Sequence, residues 1–405
     1  MKPRINKIMM AIFFICLGIY LVWSAVHRPR VFVLQSYTND YSWTRDVDSA
    51  IRKVFSTKTY DVKYHYMDTK KHSDAEFKRV AGSLARKQIN EWKPDILIAV
   101  DDNAQSLVSV CYVDPNKVDI NQVSAAKNKD VRAIFGKCYA DNPNIKVIFA
   151  GIGAQPKDYG FKGQDNVAGI VERMDIPALK EALLLVAEKT NKLQLKVIAP
   201  IDDSTSGTYN YNSLLRLKVE MEPLGIIILP QIVKTFSEWR AIIEQANSQA
   251  DFLLFSNYHT IKCTADPKAK RVPPDKLIEW TETNSRTPGI GAWGFYVENG
   301  GMLSVGVSPF EQGEMAANIA VDILDEGVQP NQIEVKTTHQ SIILMQEALI
   351  KYYDLKLPRI YEAFARAAGY FKECTDQNDC WVDIQRIAKQ KNEHLTHLDF
   401  CGKIN

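Results

Sequence analysis

Short apolar runs alternate with amphipathic stretches along most of the chain, beginning near residue 30. The runs that resemble buried strands are at residues 31–34, 96–100, 146–150, 195–199, 225–229 and 252–255. Between them lie stretches with helical spacing of apolar residues, for example residues 44–55 and 176–188. Because strands that alternate with helices build parallel sheets from βαβ units, the pattern predicts an α/β fold with Rossmann-like sheets.

The chain turns at the glycine- and proline-bearing residues 151–156, which suggests a boundary between two such sets of units. A length of 405 residues fits two domains of ordinary size. We therefore expect two lobes joined by a hinge. The expected segments are lobe 1 at 30–155, lobe 2 at 156–285, a return to lobe 1 at 286–332, a return to lobe 2 at 333–358, and a helical, cysteine-bearing extension at 359–405. In this scheme the strand at 167–171 opens lobe 2, the runs at 289–293 and 301–307 belong to lobe 1, and residues 343–355 form a helix.

The first 29 residues differ from the rest of the chain. Three basic residues, Lys2, Arg4 and Lys7, precede an uncharged apolar run at 8–26. This run approaches the ~20 residues of a membrane-spanning helix and exceeds the ~7–15 of a signal-peptide core. Because leading positive charges stay in the cytoplasm, the rest of the chain is expected to be exported.

We predict an uncleaved anchor in a bacterial inner membrane with the bulk of the chain in the periplasm. The alternative is a cleaved signal and a soluble periplasmic protein.

The cysteines beyond this segment form an even set, which is typical of disulfides in an oxidising compartment. We predict the pairs Cys111–Cys138, Cys374–Cys380 and Cys263–Cys401, among many possible connectivities. Free buried cysteines are the alternative. No tight Cys-x-x-Cys pair occurs, so we do not expect a zinc site.

Charge and motifs argue against several functions. The chain has 50 basic and 48 acidic residues, and no part of it forms the basic face of a nucleic-acid-binding protein. It contains no Gly-x-Ser-x-Gly elbow, P-loop, His-Glu-x-x-His or Gly-x-Gly-x-x-Gly fingerprint, and its seven histidines are scattered. We therefore expect a protein that is not an enzyme and needs no cofactor or metal. An exported enzyme that uses paired aspartates is the less favoured alternative.

Candidate binding residues follow the predicted strands, because ligands of open parallel sheets bind beyond the carboxyl ends of the strands. The loop after the first strand carries Tyr37, Tyr41 and Trp43, which are suited to stacking against a ligand. Packing of these rings on their own lobe is the alternative. The other candidates at strand ends are Asp102, Asn103, Asp203, Ser204, Thr205, Asn257, Tyr258 and Trp293. The Asp, Ser and Thr side chains in this set are equally suited to capping the helices that follow them.

Several segments together resemble a known family. They are residues 33–37 (Val-Leu-Gln-Ser-Tyr) with Trp43, residues 301–308 (GMLSVGVS), residues 313–324 (GEMAANIAVDIL) and Leu357-Pro358. In this order they resemble ABC-transporter substrate-binding proteins of the tryptophan/tyrosine-binding type, and the extracytoplasmic sensor modules related to them. The likeness covers about residues 30–358.

The resemblance implies a type I periplasmic-binding fold that closes on a small polar or aromatic metabolite between its lobes. The expected partner is a membrane permease or a signalling receptor. Of the candidates above, the resemblance places Tyr37, Asp102, Ser204, Asn257 and Trp293 in pocket loops. The chain departs from the family at Ser308, at residues 201–205, at the polar excursion 112–138 and in the tail after Pro358. An interaction subunit of a cell-envelope complex that binds no ligand is the alternative function.

Overall fold

The computed structural model describes residues 9–10, 12–18, 28–72, 74–121, 123, 129–190, 194–266, 268–374 and 401. For residues 129–131, 189, 190, 205, 206 and 208 it describes the backbone alone. The chain divides into two compact units. Unit 1 comprises Met1–Val171 and Pro309–Lys336, and unit 2 comprises Glu172–Ser308 and Thr337–Asn405. Each unit contains a largely parallel sheet with helices, which confirms the predicted α/β fold with two lobes.

The strands, in chain order, are β1 Arg30–Gln35, β2 Asp61–Tyr66, β3 Ile96–Val100, β4 Lys146–Ile152, β5 Val167–Val171, β6 Leu195–Asp202, β7 Ile226–Val233, β8 Phe252–Phe255, β9 Gly289–Gly291, β10 Leu303–Val307, β11 Lys336–Thr337, β12 Ser341–Gln346 and β13 Phe371–Lys372. The α-helices are α1 Ser42–Phe55, α2 Ala75–Trp92, α3 Asp102–Leu107, α4 Lys129–Ile134, α5 Ile176–Thr190, α6 Thr205–Met221, α7 Phe236–Gln249, α8 Pro274–Asn284, α9 Phe295–Glu298, α10 Pro309–Leu324, α11 Glu347–Tyr352 and α12 Arg359–Ala367. Short 3₁₀ turns occur at Ser109–Tyr112, Pro115–Lys117, Pro156–Tyr159, Glu222–Leu224 and Pro330–Gln332.

The sheet of unit 1 has six strands in the order β11-β5-β4-β3-β1-β2, and β1 to β5 pair in parallel. Its central strand β3 is apolar and buried at every position, as expected for a strand covered on both faces. Helices α1 and α10 lie against each other, and Val47 and Ile51 of α1 pack in the same core as Ala316 and Ala317 of α10. This arrangement leaves the ends of β1 and β3 beside each other at the carboxyl edge of the sheet.

The sheet of unit 2 has seven strands in the order β13-β12-β10-β9-β8-β6-β7. Its pairs are parallel except for β10 with β12, which run antiparallel. The core on one side contains Trp239, Phe255 and Tyr258, all fully buried. The indole nitrogen of Trp239 donates to Thr281 Oγ1 at 2.9 Å, so the largest of these side chains keeps its hydrogen bond inside the core.

The structure assigns four strands to other sheets than the sequence analysis did. Strand β5, placed at the start of lobe 2, is in the sheet of unit 1. Strands β9 and β10, placed in lobe 1, are in the sheet of unit 2, and β11 at residues 336–337 pairs in unit 1. The periodicity of one segment indicates that it is a strand but carries no information about its neighbour in the sheet.

The predicted helix at 343–355 is wrong in its first half. Residues Ser341–Gln346 form β12, and the helix α11 begins only at Glu347. A run of apolar residues this short fits either structure, and pairing with β10 decides for the strand. The extension after Pro358 begins with the predicted helix, α12, but continues into β13, which pairs with β12.

Two of the predicted disulfides are present. Cys111 and Cys138 are bonded with their Cα atoms 4.9 Å apart, and Cys263 and Cys401 are bonded with their Cα atoms 5.3 Å apart. Cys374 is also disulfide-bonded, and its predicted partner Cys380 lies outside the described residues.

Most of the predicted membrane anchor, residues 8–26, also lies outside the described residues. Among the helices that the structure does describe, none has the length and apolar character needed to cross a membrane.

Candidate functional site

The carboxyl edge of the unit 1 sheet is organised by Ser36, the first residue after β1. Its hydroxyl donates to the carbonyl of Val100 at 2.7 Å and accepts from the backbone N–H of Ala104 at 2.8 Å. These two bonds fasten the end of β1 to the end of β3 and to the start of α3. As a result Tyr37, which follows Ser36, is held next to Asp101, which follows Val100.

Tyr37 and Asp101, both half-buried, form a hydrogen-bonded pair in which the phenol donates to the carboxylate. Burial and, to a smaller extent, the neighbouring carboxylate of Asp102 raise the pKa of Asp101 to about 7, and Tyr37 and the ammonium of Lys70 oppose this shift. Burial and the charge of Asp101 raise the pKa of Tyr37 well above its usual value, so the phenol stays protonated. Asp101 also has φ 73° and ψ 162°, a conformation that L-residues rarely adopt and that is found preferentially at functional sites.

Lys70 lies on the two tyrosines of the first loop. Its ammonium is 3.6 Å from the ring centre of Tyr41 and 5.1 Å from that of Tyr37, and the two rings meet edge to face with centres 5.6 Å apart. Tyr37 and Tyr41, two of the three aromatic candidates of this loop, therefore lie against each other and against a cation that the sequence analysis did not single out.

Asp102 completes the cluster on the other side of Asp101. Its Oδ1 accepts from the Tyr159 hydroxyl at 2.5 Å and from the backbone N–H of Ala154 at 3.4 Å. Burial and the nearby carboxylates raise the pKa of Tyr159 well above its usual value. The sequence analysis missed Tyr159, because nothing in the pattern of residues 151–160 connects it to the end of β3.

The two other candidates of unit 1, Trp43 and Asn103, have contacts outside this cluster. Trp43 packs on the core of unit 1, with its ring beside Gly151, and its buried Nε1 has no hydrogen-bond partner among the described residues. The side chain of Asn103 forms two hydrogen bonds with other residues of unit 1. It accepts from Lys78 Nζ at 3.2 Å and donates to Thr69 Oγ1 at 3.0 Å. Tyr37, Tyr41 and Asp102 thus meet around Asp101 and Lys70, and Asn103 is engaged within its own unit.

In unit 2 the loop after β6 is arranged around Asp202, which is 2% exposed. Its carboxylate accepts from the Ser204 hydroxyl at 2.5 Å, from the Ser204 N–H at 3.2 Å and from the Thr260 N–H at 3.0 Å. Ser204 accepts in turn from Gly207 N at 2.9 Å and caps α6. Asp203 is exposed and lies 3.7 Å from Lys234 Nζ, and the side chain of Thr205 is outside what the structure describes. The capping alternative therefore holds for Ser204.

The last three candidates follow β8 and β9. Asn257 accepts from Asn210 Nδ2 at 2.6 Å and from the Ser256 hydroxyl at 3.2 Å. Trp293 is 5% exposed, and its Nε1 donates to the same Ser256 hydroxyl at 3.3 Å, so these two residues lie together. Tyr258 is fully buried against Trp239, and it accepts from Asn299 Nδ2 at 2.9 Å, which makes it a core side chain.

The parts of the chain that the structure describes contain no group of three or more His, Cys, Asp or Glu side chains placed to hold a metal ion. The cluster of unit 1 contains instead two aromatic rings, the ammonium of Lys70 and two carboxylates. Groups of these kinds are suited to charged and aromatic molecules, through ring stacking and electrostatic attraction.

Comparison with known proteins gives one family match. Residues 214–360, about a third of the chain, match the model of the family described as ABC transporter substrate binding protein. No curated protein matches the chain.

Solved structures with a similar fold cover most of the chain. A conserved domain protein from Vibrio cholerae has a TM-score of 0.56 at 14% identity, over 86% of this chain and 100% of that one. An ABC domain in complex with L-Trp from Streptococcus pneumonia has a TM-score of 0.54 at 13% identity, over 82% and 98%. A ligand-free, open substrate-binding protein with adhesive properties from Clostridium difficile has a TM-score of 0.54 at 14% identity, over 82% and 96%. The resemblance of this chain to ABC-transporter substrate-binding proteins, predicted from its sequence, is therefore confirmed.

Proposed function

We propose that the protein is an extracytoplasmic small-molecule-binding protein and not an enzyme. The observation that carries the proposal is the cluster at the carboxyl edge of the unit 1 sheet, where Tyr37, Tyr41, Lys70, Asp101 and Asp102 meet. Ligands of open α/β sheets bind at this edge, and binding sites combine apolar walls with a few polar groups in this way. The family match over residues 214–360 supports the same function.

The ligand that these groups suit is a small polar or aromatic metabolite. Tyrosine rings stack against flat or apolar groups, and the carboxylates favour a partner that carries positive charge or hydrogen-bond donors. One protein with this fold was solved with L-Trp bound, which supports a ligand of that size.

We further propose that the liganded form is recognised by a membrane permease or a signalling receptor. A ligand that binds one conformation more tightly shifts the population towards that conformation. A partner that recognises this conformation therefore responds to whether the site is occupied. The disulfides within each unit support an oxidising compartment, such as a periplasm. The apolar run at 8–26 supports attachment to the membrane that holds the partner.

A thermal-shift screen of small metabolites on the full-length protein tests this proposal. A specific ligand at a hundredfold excess over its dissociation constant adds about 2.7 kcal/mol to the free energy of unfolding. We expect amino acids and other small polar metabolites to include such ligands. A protein that no metabolite stabilises would instead support the interaction subunit of a cell-envelope complex.

A pair of variants then locates the site. Asp102→Asn keeps an oxygen that accepts from Tyr159 but removes the charge, so we expect weaker binding with little loss of stability. Asp61→Asn removes the same charge from an exposed position of unit 1, at the first residue of β2, and serves as the control. Equal affinities of both variants would place the ligand away from this cluster.

A further inference from the structure

Lys70 is positioned by the turn that follows β2. The N–H of Met67 donates to the carbonyl of Gln35 at 3.0 Å, and the N–H and hydroxyl of Thr69 both donate to the carbonyl of Ser36, at 2.9 and 2.7 Å. The turn is therefore fastened to the end of β1, and the backbone of Lys70 is fixed beside Tyr37.

The groups around the Lys70 ammonium form a cation site. Two aromatic faces, those of Tyr41 and Tyr37, approach it at 3.6 and 5.1 Å, and the carboxylate of Asp101 is close enough for the two charges to attract. Aromatic faces with a nearby carboxylate are the arrangement that binds organic ammonium groups, because the ring quadrupole and the carboxylate both attract a weakly hydrated cation. The site is already assembled in the protein, and its occupant is a side chain of the same chain.

The neighbouring Lys71 shows that this placement is specific. Its ammonium pairs with Asp40 at 2.5 Å, and both side chains are more than half exposed. Two adjacent lysines therefore have different roles: Lys71 forms a surface ion pair, and Lys70 occupies the rings.

We propose that Lys70 is a tethered occupant of a ligand site, and that the external ligand of this site is a small organic ammonium compound that displaces it. This inference rests on the proposed function and names its ligand class. The four-carbon stem of lysine is flexible, so the ammonium can leave the rings for water without movement of the backbone. Because a tethered group competes at a high effective concentration, Lys70 lowers the affinity for the external ligand.

The test compares Lys70→Met with Lys71→Met, using tetramethylammonium chloride as the probe and titration calorimetry at pH 8.5 on the full-length protein. Both variants lose one positive charge at adjacent positions, but only Lys70→Met leaves the rings without their cation. We expect the probe to bind Lys70→Met about tenfold more tightly than the parent protein, which corresponds to about 1.4 kcal/mol, and Lys71→Met to bind like the parent. An equal gain in both variants would mean that only net charge matters, and no gain in Lys70→Met would mean that the site takes no external ammonium. Either result overturns the inference.

Two further measurements secure the result. Adding Tyr41→Leu to Lys70→Met removes the closer ring, so the gain in affinity should disappear; a gain that persists contradicts the role of the rings. In the parent protein, acetylation of Lys70 relative to Lys71, measured by mass spectrometry, should increase as tetramethylammonium is added. Unchanged labelling at saturating probe counts against displacement even if the variants fail to fold.

These outcomes are separable from those of the metabolite screen. A metabolite that binds the parent protein, together with no gain in Lys70→Met, leaves the proposed function standing and removes this inference. A gain in Lys70→Met without any metabolite hit supports the ammonium site and counts against the proposed function.

Discussion

At the scale of single residues, Asp101 links the stability of the protein to pH. Its pKa is raised from 3.8 to about 7, first by burial and then by Asp102. Between these two values the folded protein holds a proton that the unfolded chain has released, so stability falls as pH rises through this window and is constant above it. The same residue also adopts a rare backbone conformation. Ionisation of its buried carboxyl and the strain of its backbone therefore both lower the free energy of unfolding at this position.

Asp101→Asn should remove this pH dependence. Asparagine has nearly the same shape as aspartate, so the backbone strain at this position is unchanged, and it keeps an oxygen for the bonds from Tyr37 and the Asp102 N–H. We expect the variant to be more stable than the parent at pH 8, by about 1 to 3 kcal/mol, and similar to it at pH 4. Urea unfolding at a series of pH values between 4 and 8 measures the difference. Parallel profiles for the two proteins would show that Asp101 ionises normally.

The two aspartates after β6 have opposite structural roles. Asp202 accepts three hydrogen bonds from Ser204 and Thr260 and is almost fully buried, so Asp202→Ala should lower the free energy of unfolding by about 2 to 4 kcal/mol. Asp203 has one ion pair at the surface, 3.7 Å long, so Asp203→Ala should change the free energy of unfolding by less than about 0.5 kcal/mol. Urea denaturation of both variants checks this. A similar loss in the two would contradict the role assigned to Asp202.

Sequence reasoning found the loops of the candidate site more readily than its individual residues. Tyr37, Tyr41 and Asp102 were predicted because strand ends in parallel sheets converge. Lys70 and Tyr159 were missed because each is brought to the cluster by tertiary contacts: Lys70 by the bonds of Thr69 to Ser36, and Tyr159 by its bond to Asp102. A lysine in a polar turn looks like any other surface lysine until the aromatic rings beside it are placed.

At the scale of elements, the close packing of α1 on α10 depends on Gly313. A Cβ added to Gly313 would be 2.2 Å from the carbonyl oxygen of Val47 and 3.0 Å from the Cβ of Ala50. Because the first of these contacts is with backbone, one helix must shift to accommodate any side chain. The glycine therefore sets the distance between two helices that pack on the sheet of unit 1.

Gly313→Ala should destabilise the protein although alanine favours helix formation. Overpacking typically costs about 1 to 3 kcal/mol, which exceeds the ~1 kcal/mol by which alanine is the better helix former. Asn318→Ala, at an exposed position of the same helix, is the control and should be neutral or slightly stabilising. Thermal unfolding followed by circular dichroism compares the two. A Gly313→Ala protein as stable as the parent would show that the helices separate at little cost.

Elements with a clear period were predicted well, and their partners in the sheets were not. Strand β3 and helix α1 follow their patterns closely, since each buries a face that the sequence displays. Strand β12 was taken for helix because its apolar run continues into α11, and only the antiparallel pairing with β10 distinguishes the two. Sheet membership depends on contacts between distant segments, which the local pattern does not encode.

At the scale of the whole molecule, the chain passes between the units three times, after Val171, Ser308 and Lys336. Neither unit is therefore a continuous segment. Helix α10 belongs to unit 1 but follows Glu172–Ser308 of unit 2 in the sequence. Each disulfide, however, joins two cysteines of the same unit: Cys111–Cys138 in unit 1 and Cys263–Cys401 in unit 2. Removing either disulfide therefore perturbs the stability of one unit and leaves the disulfide of the other unit in place.

Removing one disulfide at a time should therefore destabilise one unit at a time. The Cys263–Cys401 bond spans 138 residues of sequence and the Cys111–Cys138 bond 27, so by the chain-entropy model they add about 5 and about 3.5 kcal/mol. We expect Cys263→Ser/Cys401→Ser to cause the larger loss, with earlier exchange of amide hydrogens in β6 to β9, and Cys111→Ser/Cys138→Ser to cause the smaller loss, with earlier exchange in β3 and β4. Calorimetry and hydrogen exchange measured by mass spectrometry on both variants test this. If removing either bond accelerated amide hydrogen exchange equally in both units, the two units would unfold together. The division of the chain into two compact units would then not correspond to two separately stable parts.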